Sequence, residues 1–186
     1  MDITKETQLK QALLNKEITG IEFYNLGKGY MIFDEDHVWL INGGIEFKFG
    51  DAAFTFAWSS EKEFYDYLPE KINALTNDLE VKELEAVNIP GINELTGAKI
   101  TNVDIIWNFY FDLDENFEPT EEKHYMPMGL TLSFTNGSKM QLAAVNYELD
   151  VKNNTMDNVM FDSTGELLIT LNHPVEIKLE EITEEE

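Results

Sequence analysis

Gly129-Leu130-Thr131-Leu132-Ser133-Phe134 runs into Thr135-Asn136-Gly137-Ser138 and returns as Lys139-Met140-Gln141-Leu142-Ala143-Ala144-Val145, continuing to Leu149. Apolar and polar residues alternate on the outgoing limb, and Asn-Gly sits at the reversal. Alternation is the signature of a half-buried strand, and Asn-Gly supplies two residues that accept positive φ in a tight turn. An antiparallel hairpin is therefore expected here, and the same grammar recurs outward in both directions. Ile45, Phe47 and Phe49 alternate with Glu46 and Lys48, and Val38 to Ile41 precedes them across Asn42-Gly43-Gly44, which reads as a second hairpin turn. Ile100 to Leu113 is a long run of β-favouring residues, followed by an acidic loop over Asp114 to Lys123. Short strands are expected at Val159 to Phe161, Leu167 to Leu171 and Val175 to Leu179. Two segments break the pattern. Residues 5–16 place Leu9 and Leu13 on one helical face, and residues 60–76 carry Phe64, Tyr67, Leu68 and Ile72 at helical spacing behind Ser59, Ser60, Glu61 and Glu63, which suit a helix N-terminus. The fold class expected is α+β: a mostly antiparallel β-sheet with an N-terminal helix and one central helix.

Two halves resemble each other. Ile18 to Tyr24 can be laid on Ile100 to Ile106 at an offset of 82 residues, and Gly44 to Asp51 on Gly129 to Asn136 at an offset of 85. Residues 18–76 and 100–179 read as related β-meanders within one compact domain, 1–179. The segment 180–186 holds five acids in seven residues and reads as a charged tail.

Composition narrows the function. The 186 residues include 36 Asp and Glu against 13 basic residues, all of them Lys, for a net charge of −23. Nucleic acid and anionic membranes are poor ligands for such a chain, because both need a basic face. With no Cys there is no disulfide framework, thiolate nucleophile or Cys-ligated metal. No apolar run reaches the length of a membrane span and the first residues lack a secretory signature, so a cytoplasmic protein is expected.

Chemistry-bearing motifs are sparse. Asp112, Asp114 and Asn116 alternate as at the start of a calcium-binding EF-hand loop. The pattern fails at Phe117, where glycine is needed, and at Lys123, where a bidentate Glu belongs. His37, His124 and His173 are far apart in sequence. Gly27-Lys28-Gly29 lacks the spacing of a phosphate loop. No cofactor or metal is expected, and no catalytic constellation is legible. What remains is a surface: Trp107, Tyr110, Asp112, Asp114, Glu115, Glu118, Glu121 and Glu122 combine aromatic anchors with concentrated negative charge, a composition suited to binding a protein.

In overall character the chain resembles the immunity proteins of bacterial polymorphic and contact-dependent toxin systems. The resemblance lies in acidity, lack of Cys, acidic aromatic strands such as Ile100 to Leu113, and the strand Gly165 to Leu171. It implies a non-catalytic inhibitor that occludes a basic partner such as a nuclease-type toxin. Two other classes stand beside it: a small β scaffold or accessory interaction domain whose acidity is solubilising, and a metal-assisted enzyme using Asp112, Asp114, Glu118 and His124.

Overall fold

The computed structural model describes residues 3–25, 31–33, 37–59, 64–68, 82–83, 89, 91–116, 118–153 and 155–179. Helix α1 (Ile3–Leu13) buries Leu9 and Leu13, the pair its spacing places on one face. It ends at Asn15, whose φ of 62° turns the chain out of the helix. Every strand that follows pairs antiparallel. The strands are β1 (Gly20–Asn25), β2 (Met31–Phe33), β3 (Val38–Ile41), β4 (Gly43–Phe49), β5 (Ala52–Ser59), β6 (Phe64–Leu68) and β7 (Lys82–Glu83). After a short 3-10 helix (Ile92–Leu95) come β8 (Ile100–Leu113), β9 (Pro119–Phe134), β10 (Lys139–Asp150), β11 (Thr155–Phe161) and β12 (Glu166–Leu171). They form two sheets. One runs β6-β5-β4-β1-β7; the other runs β2-β3-β12-β10-β9-β8, with β11 also on β10.

The main core is filled from both sheets. Ile45, Phe47, Phe54, Phe56, Tyr65 and Tyr67 of the first meet Trp39, Ile41, Leu132, Met140, Leu142 and Ile169 of the second. A smaller apolar cluster lies on the far face of the second sheet, around Val38, Leu40, Val145, Val159 and Phe161, with Val175 and Ile177 packed against it.

Four sequence expectations are corrected. The central helix gives way to β6 over Phe64–Leu68; the rest of 60–76 lies outside the described residues. Tyr65, Asp66 and Tyr67 are all buried, and Tyr67 stacks on Phe56 at 4.0 Å between ring centroids. Burial on both faces outweighs the helix-start signals that precede it. Second, Asn42-Gly43-Gly44 is no hairpin turn. β3 pairs with β2 and β12, whereas β4 pairs with β1 and β5, so Asn42 is where the chain passes from one sheet to the other. Gly44 lacks a side chain for a packing reason: a Cβ there would lie 2.3 Å from the Ala57 Cβ. Third, the acidic loop is short, because β9 already begins at Pro119. Fourth, Val175 to Leu179 is irregular apart from one bridge, Met160 to Lys178.

On β1 and β4, Gly20–Lys48 through Tyr24–Gly44 are paired, and on β8 and β9, Asn102–Ser133 through Ile106–Gly129. Gly44 faces Ala57 across β4 and β5, and Gly129 faces Ala143 across β9 and β10. Phe56 pairs with Tyr67 on β5 and β6, and Leu142 with Ile169 on β10 and β12. The segments leading into β1 and β8 bond to each other: Ile18 N donates to Ala98 O at 2.9 Å, and Ile100 N to Lys16 O at 3.1 Å.

Candidate protein interface

β9 is bonded to β10 only from Gly129 to Ser133. Its partnership with β8 continues to Leu113–Pro119. Beyond Gly129 the hairpin therefore runs on as a two-stranded arm of residues 106–127, about 25 Å long at the rise of a β-strand. Two features release it. The register shifts between Ile106 and Trp107, the mark of a bulge. Pro127 has no amide hydrogen and cannot continue a ladder on β10.

The arm has two unlike faces. One carries Trp107, Phe109, Phe111, Lys123 and Tyr125. Phe109 meets Phe111 edge-on at 5.5 Å, and the Lys123 ammonium lies 4.1 Å from the Phe109 ring centroid. That geometry allows a cation–π contact and occupies the one lysine of the arm. Trp107 is half-buried against the main core, and its indole Nε1 is buried without a hydrogen-bond partner among the described residues. The other face carries Ile106, Tyr110 and Asp112. Ile106 and Tyr110 are each 39% exposed. The Tyr110 ring stacks on His124 at 5.2 Å, and His124 Nε2 lies 2.9 Å from Asp112 Oδ2, close enough for an ion pair when the imidazole is protonated.

At the tip, Asp114 Oδ1 accepts hydrogen bonds from the backbone N–H groups of Asn116, at 2.7 Å, and Glu118, at 3.0 Å. The amide of Glu118, with that of Asn116, holds the Asp114 carboxyl below its usual value. The alternation that looked like an EF-hand start thus has a local explanation: Asp114 closes an Asx-type turn. Glu115, Glu118, Glu121 and Glu122 are exposed around it.

The eight residues singled out from sequence therefore lie on one arm, but not on one face. Trp107 turns toward the core, Tyr110 and Asp112 share the opposite face, and the Glu residues ring the tip and the first residues of β9. Six acids fall within residues 112–122. Of the metal-enzyme set, Asp112 and His124 meet, whereas Asp114 is engaged in its turn. Among the described residues no group of three His, Asp or Glu is arranged to hold a metal ion. The fold does gather His37 and His173, whose rings stack at 4.2 Å and 17° between planes. Near-parallel rings aim their in-plane lone pairs side by side, not at a common point. No helix among the described residues is long and apolar enough to cross a membrane.

Sequence reasoning missed two things: the pairing of Lys123 with the aromatics, and the exposed Ile106. The first could be found from the i, i+2 spacing of Phe109 and Phe111 opposite Lys123; the second follows from a register that no local pattern reveals. Comparison with family models, curated proteins and solved structures gave no match.

Proposed function

We propose that this protein is a non-catalytic acidic binder that occludes a basic partner, of the nuclease-toxin or effector kind, in the cytoplasm. The observation that carries the reading is the arm: six acids on a two-stranded hairpin, with Tyr110 exposed beside them, on a chain of charge −23. Such a field speeds encounter with a basic surface, and an exposed aromatic provides the apolar anchor that charge does not. A basic nuclease must present cations to its substrate, so an acidic arm would compete for the same surface.

The related-halves reading belongs to this proposal. The matched registers of β1-β4-β5-β6 and β8-β9-β10-β12, and the reciprocal bonds between residues 16–18 and 98–100, support an internal two-fold relation, in which equivalent segments meet each other.

The test is capture from the native cell by the tagged protein across a salt series. The control replaces Asp114, Glu115, Glu118, Glu121 and Glu122 with Lys. Each replacement changes the charge by two, so five take the net charge from −23 to −13. One basic protein retained in equimolar amount, released as salt rises and absent from the control, is the expected result. Equal capture by the control refutes the arm as the contact.

A further inference from the structure

β9 and β11 both flank β10, and they diverge at Gly129 and Phe161. A groove of about 280 Å³ opens there. Its lining combines apolar Met126, Met128, Met160 and Phe161 with polar Asn108 and Asn146. The Phe161 ring comes so near Gly129 that a Cβ there would lie 2.9 Å from its Cε1, so the glycine is what lets the ring lie there. Three thioethers in one groove make a soft, polarizable surface that adapts to the shape of an apolar side chain. Of these four apolar residues Met160, 36% exposed, is the one that reaches solvent; Met126, Met128 and Phe161 are buried beneath it. Exposed Ile106 and Tyr110 flank Asn108 at two-residue spacing and extend the apolar surface along the arm.

Among the described residues of its lining, Asp162 is the one ionisable group. Asp112 lies further along the arm on the face of Asn108. Lys178, whose backbone bridges Met160, donates from its ammonium to Asn158 Oδ1 at 2.9 Å.

We propose that this groove receives an apolar side chain from an extended, Lys- or Arg-rich segment of a partner protein, while that segment's cations meet the acids of the arm. The inference rests on the basic-partner reading and names where the partner is anchored. A second copy of this chain is disfavoured, since it would bring −23 against −23. An uncharged apolar ligand would leave the acidic surroundings without a role.

The test uses the full chain with 13C-labelled methionine methyls and two short peptides, one alternating Lys with Phe and one alternating Lys with Ser. The Lys–Phe peptide is expected to shift the methyl signals of Met126, Met128 and Met160 and leave that of Met140, which is fully buried between the sheets. It should bind about tenfold more tightly than the Lys–Ser peptide, the factor that burying one apolar side chain brings. Met160→Ser should narrow that difference. If both peptides bind equally and shift only amides of residues 112–122, the groove is refuted and the acidic arm stands. If neither binds at low salt, both are refuted.

Discussion

Replacing Gly44 with Ala isolates one packing demand of the first sheet. The added Cβ would lie 2.3 Å from the Ala57 Cβ and 2.8 Å from both the Ala57 Cα and the Phe56 carbonyl oxygen. Two of these three atoms are backbone, held in the β4–β5 ladder, so no side-chain rotation relieves them. Overpacking ordinarily costs about 1–3 kcal/mol, and a clash against backbone belongs at the top, about 3 kcal/mol. For a chain of this size that corresponds to a fall in Tm of about 6–12 °C. Gly129→Ala is the internal comparison. Its Cβ would meet the Phe161 ring at 2.9 Å, a side chain that can swing, so about 1 kcal/mol is expected. Adding Ala57→Gly to Gly44→Ala removes the shortest contact and leaves the two to backbone, so it should restore less than half of the loss. Urea denaturation followed by circular dichroism reads all four chains. The reasoning fails if Gly44→Ala is no more destabilising than Gly129→Ala, or if Ala57→Gly restores stability fully.

Asp66→Ala should cost about 3 kcal/mol, because the carboxylate is buried, accepts from Tyr67 N at 2.8 Å and pairs with Lys5 Nζ at 3.0 Å. Lys5→Met should cost at least as much, since it takes the cation from a carboxylate that is 1% exposed, whereas the Lys5 ammonium left by Asp66→Ala is 26% exposed and reaches water; the reverse order in urea denaturation would contradict this. The Asp114 carboxyl should titrate below the ordinary aspartate range, because the charged form holds two backbone amides. Its folded-state pKa is depressed, so its contribution is present above the unfolded value and is lost as pH falls through the folded one. Carboxyl NMR of Asp114 and amide NMR of Asn116 and Glu118 should share that midpoint, and one at or above that of an ordinary aspartate counts against the turn. Fragments 1–90 and 91–186, expressed together, should associate through the bonds between residues 16–18 and 98–100; two fragments that never copurify speak against paired halves.

Much of the β framework could be read in advance, and the reason is local. Asn136-Gly137 supplies a turn, with Gly137 at φ 87°, and the flanking alternation declares the strands. The antiparallel sheets and N-terminal helix follow from such signals. The same rule misled at Asn42-Gly43-Gly44, where glycine answers to Ala57 on a neighbouring strand. Phe64–Leu68 has helical spacing by coincidence, and only the closeness of β5 reveals its buried strand. For the candidate interface, acidity and aromatic content point to residues 107–122. That they form a two-stranded arm depends on where β9 leaves β10, and hence on Pro127 and a bulge whose effects are long-range.

The passage of the chain between sheets at Asn42 has a consequence for biosynthesis. Val38 pairs with Thr170, so β3 lacks one of its two neighbours until β12 has left the ribosome. At ordinary elongation rates that interval is on the order of ten seconds. For that time Trp39 and Ile41 belong to an incomplete sheet whose open edge can template aggregation. The nascent chain already carries most of its carboxylates by then, and mutual repulsion between ribosome-bound copies would keep those edges apart while the last strand is made.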